Sequence, residues 1–181
     1  MKLALLSIVM GTMAVSVQAG QAKIEGTHLC CGACVKSATE SLSGVTGVTN
    51  VVVDKATGII TFDADDRKTA RQGLNALAKG GFGGKATFDG KGLPMPKGAE
   101  ADATGDEVKI AGLHNCCPGC ESAITDALKG VDGVTEVKCD KKSCTVKGTK
   151  VSHTALIDAL HEAGLHGRIG MPGKKKDKAA E

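Results

Sequence analysis

Two stretches of this chain gather the residues best able to do chemistry. The first runs Gly26-Thr27-His28-Leu29-Cys30-Cys31-Gly32-Ala33-Cys34 and the second Gly112-Leu113-His114-Asn115-Cys116-Cys117-Pro118-Gly119-Cys120. Six of the 8 cysteines lie in them. Cys31-x-x-Cys34 and Cys117-x-x-Cys120 each stand directly ahead of an amphipathic helical pattern. A helix N-terminus offers unpaired N–H groups and a partial positive charge, and both favour thiolate over thiol. Thiolates are soft donors that select Cu(I), Zn(II) and related thiophilic ions. Gly32, Ala33 and Gly119 keep the loops small, and Pro118 suits a first helical turn, where its missing N–H costs little.

Cys30 and Cys116 stand beside the pairs, with His28 and His114 just upstream. Each loop therefore contains a Cys3His set, a standard tetrahedral zinc combination. Two thiolates alone suit a linear Cu(I) ion. Blander readings stay open. His28 is in phase with Ile24, and His114 with Ile110, as core histidines would be. Cys30 and Cys116 also fit as buried small residues or oxidation partners, and the Cys-x-x-Cys pairs as structural disulfides or redox dithiols. Cys139 and Cys144 occur only in the second half and flank Asp140-Lys141-Lys142-Ser143. They are expected to form a disulfide across a hairpin, a metal site with His153 being the alternative. His161 and His166 are expected at the surface. No phosphate loop, nucleophile motif or carboxylate cluster is present, so no catalytic residue is expected and the chain reads as a non-enzyme.

The elements that position these loops follow from a duplication. Placing Cys31 on Cys117, an offset of 86, matches fifteen identical residues within 26–55, among them Gly44-Val45-x-Gly47-Val48 and Gly130-Val131-x-Gly133-Val134. Further on, Gly81-Phe82 meets Gly164-Leu165. Apolar periodicity predicts strands at 22–27, 48–54, 59–62 and 85–88 and helices at 33–43 and 67–79 in the first repeat. The second repeat predicts strands at 107–113, 134–139, 144–147 and 166–169, with helices at 120–129 and from Ser152, a plausible N-cap, to 163. The order is βαββαβ twice. The expected fold is α+β: two tandem ferredoxin-like domains, each a four-stranded antiparallel sheet with two helices on one face. The boundaries read as 1–19 signal peptide, 21–88 first domain, 89–105 linker rich in Gly, Ala and Pro, 106–170 second domain and 171–181 basic tail.

The combination of strand, Gly, Cys-x-x-Cys, amphipathic helix and Gly-Val-x-Gly-Val resembles the heavy-metal-associated domains. These occur in copper chaperones, in the N-terminal arms of metal-transporting P-type ATPases and in periplasmic mercury-binding proteins. The resemblance covers both repeats. It implies the ferredoxin-like fold and metal binding through Cys31, Cys34, Cys117 and Cys120. The family usually has Met two residues before the first ligand; Leu29 and Asn115 stand there instead.

Composition narrows the partners. Aromatic residues make up only 2% of the chain, with no Trp or Tyr, so ring-lined cofactor pockets and base-stacking nucleic-acid platforms are not expected. A net charge of +3 is too small to argue for a polyanion. Lys2, the apolar run 3–17 and Val17-Gln18-Ala19 read as a secretory signal cleaved after Ala19. The mature chain is then exported, periplasmic or secreted, with no membrane span. The leading expectation is a protein that binds, buffers or transfers Cu(I) or Zn(II), one ion per domain, with a membrane metal transporter or envelope metalloprotein as partner. The alternatives are a thiol-disulfide oxidoreductase and a disulfide-stabilised interaction module.

Overall fold

The computed structural model describes residues 19–170. The expected signal peptide, but for its last residue, and the basic tail lie outside the described residues. The first repeat contains β1 (Gly20–Glu25), α1 (Gly32–Ser43), β2 (Val48–Asp54), β3 (Ile59–Ala64), α2 (Arg67–Lys79) and β4 (Lys85–Phe88). A two-residue strand, β5 (Lys91–Gly92), follows within the expected linker. The second repeat contains β6 (Thr104–Ala111), α3 (Pro118–Lys129), β7 (Val134–Cys139), β8 (Ser143–Ser152), α4 (His153–Glu162) and β9 (Arg168–Ile169).

Both repeats build the antiparallel sheet expected of βαββαβ units. The strand orders are β2-β3-β1-β4-β5 and β7-β8-β6-β9. Alternation decides which face each strand buries: β3 hides Ile60, Phe62 and Ala64, and β6 hides Val108 and Ile110. Helical spacing supplies the other wall, with Ala38 and Leu42 on α1 and Ile124 and Leu128 on α3. Asp66 caps α2 by accepting from the Thr69 N–H at 2.7 Å, and Ser152 caps α4 by accepting from the Ala155 N–H at 3.3 Å.

The linker is not a bare tether. Leu93 is buried in the first core and Ala99 in the second. The Leu93 N–H donates to Ala86 at 2.8 Å and the Ile169 N–H to Gly98 at 2.7 Å.

The repeats meet through the loops that follow α2 and α4. Phe82 and Leu165 form an antiparallel bridge. Around it, the Gly83 N–H donates to the Gly164 carbonyl at 3.1 Å and the His166 N–H to the Gly81 carbonyl at 2.9 Å. The Gly164 carbonyl also accepts from the His28 N–H at 3.0 Å. A side chain on Gly83 would run into the Leu165 carbonyl, and one on Gly164 into the Gly26 carbonyl. Gly164 also has φ +75°, which only glycine adopts readily. Close backbone approach is therefore the reason for glycine at both places.

Candidate metal centre

Each cysteine loop joins the first strand of its repeat to a helix. Cys31 and Cys117 are the N-cap residues of α1 and α3, both in extended conformation. The next cysteines, Cys34 and Cys120, fall in the first helical turn and are fully buried. Cys30 and Cys116 lie at the exposed rim. Within a repeat the pair sulfurs are 3.6 Å apart for Cys31–Cys34 and 3.8 Å for Cys117–Cys120.

Docking of the repeats brings all six sulfurs into one group. Cys30 Sγ lies 3.1 Å from Cys117 Sγ and 3.3 Å from Cys120 Sγ. Reciprocally, Cys116 Sγ lies 3.6 Å from both Cys31 Sγ and Cys34 Sγ. The two buried sulfurs, Cys34 and Cys120, are 4.0 Å apart. Two sets of four sulfurs have every member within 4.8 Å of the others: Cys30, Cys31, Cys116, Cys117, and Cys30, Cys34, Cys116, Cys120. This donor set is all soft sulfur and suits a thiophilic ion.

The thiols are not equivalent. The Cys34 N–H at the helix start, helped by the Cys116 and Cys34 thiols, draws the Cys31 pKa down to about 6. No strict side-chain cap hydrogen bond forms there, so this is the pull of the helix end on a nearby sulfur. The Cys30 thiol and the Cys120 N–H lower Cys117 in the same way. Although Cys30 is at the rim, loss of water around its sulfur where the loops meet, followed by hydrogen bonding to Cys117, pushes it up. Burial, followed by hydrogen bonding to Cys31, pushes Cys116 up. Burial also raises Cys120. Cys30 and Cys116 are thus held toward the thiol form, and Cys31 and Cys117 are drawn toward the thiolate.

The histidines take other places. Among the described residues, the groups of close donors contain cysteines alone, and the histidines that each loop could add to a Cys3His set lie outside them. His28 Nε2 and His114 Nε2 are buried without a hydrogen-bond partner. Burial lowers the pKa of both, with a smaller repulsion of His114 by His28. The His114 ring lies 4.7 Å from that of Phe82 in the other repeat, so it serves the docking contact. Asn115, in the usual Met position, donates to the Asp140 carbonyl at 2.9 Å, and Leu29 is buried. Cys139 and Cys144 are bonded, as expected, and His153 is not part of any close donor group. His166 departs from expectation. It is 2% exposed rather than on the surface, because its loop is clamped between the repeats.

The convergence of the two loops is what sequence reasoning missed. Its one legible sign is the pair of apolar residues that each follow a glycine, Phe82 after Gly81 and Leu165 after Gly164, at matching places after the second helix of each repeat.

A family model described as heavy-metal-associated domain matches residues 22–83 and 107–166. A copper-transporting ATPase 2 from Rhizobium meliloti (strain 1021) is 28% identical over 144 residues, which is 80% of this chain and 15% of that protein. This chain thus spans a small part of that relative's length. Among solved structures, oxidised MerP from Ralstonia metallidurans CH34 is 23% identical over 38% of this chain and all of its own, with a TM-score of 0.34. The N-terminal soluble domains of Bacillus subtilis CopA are 18% identical over 84% of this chain and 95% of theirs, with a TM-score of 0.30.

Proposed function

The chain belongs to the heavy-metal-associated domain family in both repeats, and from that premise we propose that it is an exported carrier that binds, buffers and hands on Cu(I) or Zn(II) through its cysteine thiolates. The observation that supports this most is the gathering of six unbonded cysteine sulfurs at the junction of the repeats. Cys31, Cys34, Cys117 and Cys120 supply the family's Cys-x-x-Cys ligands. The buried sulfurs of Cys34 and Cys120 form the inner wall, and Cys30, Cys31, Cys116 and Cys117 the accessible one.

Transfer follows from that asymmetry. A thiolate of the recipient enters from the accessible side and displaces the outer sulfurs, while the buried sulfur of each pair, Cys34 or Cys120, holds its ion until exchange is complete. Cys31, drawn down to about 6, is ready to receive an ion near neutral pH, and Cys117 is shifted in the same direction. The copper-transporting relative favours a membrane metal transporter as recipient, an envelope metalloprotein being the second candidate. No helix among the described residues is long and apolar enough to cross a membrane. Export draws support from the signal-like residues 1–19 and from the Cys139–Cys144 disulfide, a bond that persists in oxidising compartments.

Native mass spectrometry under reducing conditions tests the function. We expect one ion per intact repeat, with loss of bound Cu(I) or Zn(II) in the Cys31→Ser and Cys117→Ser variants. Fewer than one ion per intact repeat, or unchanged loading of those variants, would overturn the reading. Metal-free reduction of insulin would instead favour a thiol-disulfide enzyme.

A further inference from the structure

We propose that each metal ion is held across the repeats, by the Cys-x-x-Cys pair of one and the additional cysteine of the other. Cys31, Cys34 and Cys116 form one site; Cys117, Cys120 and Cys30 form its counterpart. This assignment rests on the metal-binding reading above and adds which sulfurs act together.

Geometry selects this division. In the first set the three sulfur separations are 3.6, 3.6 and 3.6 Å. In the second they are 3.8, 3.1 and 3.3 Å. The two sets share no sulfur and leave none over. Sulfurs about 2.3 Å from an ion at their centre would stand about 4 Å apart, so each set closes on an ion with a shift of under about 1 Å. The sets are also equivalent under the duplication, since Cys31, Cys34 and Cys30 correspond to Cys117, Cys120 and Cys116.

The local backbone explains why the extra cysteine serves the opposite repeat. Cys31 and Cys117 are extended, with φ −147° and −156°, so neighbouring side chains diverge there. Cys116 meets both Cys31 and Cys34 at 3.6 Å and, of its own pair, Cys120 at 3.7 Å; Cys30 meets both Cys117 and Cys120, at 3.1 and 3.3 Å, and, of its own pair, Cys34 at 3.5 Å. Cys30 sits over the first turn of α3, where a Cβ placed on Gly119 would lie 3.8 Å from Cys30 Cβ. The Cys-Cys doublet is thus one ligand for home and one for the neighbour.

Cu(I) is the probe, with X-ray absorption to count sulfurs and competition with a chelator to measure affinity, on the full chain throughout. Cys31→Ser/Cys34→Ser removes one pair and leaves the Cys117, Cys120, Cys30 site, which should bind one Cu(I) with three sulfurs. Adding Cys30→Ser should reduce the count to two and weaken binding by at least the roughly tenfold cost of losing an outer-shell partner. Adding Cys116→Ser instead should change neither. The mirror background, Cys117→Ser/Cys120→Ser, should reverse the two responses and keeps the test decisive if the first background folds poorly. Sensitivity to Cys116→Ser rather than Cys30→Ser in the first background would show sites confined to single repeats. Equal sensitivity to both would show one pooled sulfur site. Either result overturns the cross-repeat assignment while leaving metal binding intact. Failure of the unmodified chain to bind Cu(I) would remove the metal-binding reading itself.

Discussion

His166 is buried against His161, with Nδ1 of the one and Nε2 of the other 2.8 Å apart and the rings stacked. That hydrogen bond needs one ring nitrogen to accept, so both rings cannot be imidazolium cations and keep it. Burial, with the charges of His161 and Arg168 behind it, lowers the His166 pKa to about 4. Burial also lowers His161, against an opposing pull from Asp158. A histidine lowered on folding is neutral in the native state and takes up its proton first in the unfolded chain. The associated stability is complete above the unfolded value of about 6.5 and is lost as pH falls towards about 4, a change on the order of 3 kcal/mol for His166. Urea titrations of the metal-free protein between these values should show it, and His166→Gln should flatten the profile. Phe82 matters at the same scale. It is 1% exposed and covers the His114 ring, so Phe82→Ala should cost about 3–5 kcal/mol in the same assay.

The helices divide into two kinds by the residues that start them. α2 and α4 begin on Asp66 and Ser152, whose side chains satisfy a helix-end N–H; α1 and α3 begin on Cys31 and Cys117, whose side chains do not. Capping strength is given up where the helix end faces the clustered cysteines. Asp66→Ala should cost about 1 kcal/mol, measured by denaturant unfolding, with metal loading unchanged. The Cys139–Cys144 bond closes the hairpin between β7 and β8, whose Asp140 and Lys142 carbonyls receive the Asn115 side chain and the Gly112 and Leu113 N–H groups. Cys139→Ser/Cys144→Ser should destabilise the second repeat by about 2 kcal/mol, read as a lower thermal midpoint.

Much at this scale was legible. The bounds of α2, β2, β4 and β7 match the expected spans, because apolar periodicity, Gly80 and the Gly-Val-x-Gly-Val turns mark them. β8 was not. It runs on from Lys147 to Ser152 and pairs with Thr104–Gly105 beyond an irregularity between Gly105 and Glu107, and a register shift leaves no apolar alternation to follow. That pairing also draws Thr104 and Gly105 out of the expected linker and into β6.

At the scale of the whole molecule, the site depends on contacts that periodicity cannot report. Each loop was recognisable from its cysteines, and the ferredoxin-like frame from its strands and helices. Cys30 and Cys116 were ambiguous because their meaning lies in the other repeat. Nothing in a single repeat shows that Gly83 and Gly164 are glycines for the sake of a neighbouring backbone. Gly164→Ala should cost more than about 1 kcal/mol, through both its positive φ and the lost approach to Gly26, and should weaken Cu(I) retention although it touches no sulfur. Removing metal should have a matching signature. Chelation should raise amide exchange at Gly83 and His166, which bond across the repeats, more than at Lys23 or Thr61 within a sheet.

The bridge between Phe82 and Leu165 joins residues that occupy the same place in the two repeats. Contact between equivalent positions, with each cysteine contact answered by its reverse, is the arrangement of an isologous pair. The chain thus has the form of a homodimer made covalent. The linker supplies each repeat with its partner at an effective concentration of order millimolar, whatever the abundance of the protein. A sulfur cluster that two free copies would lose on dilution is kept by one chain.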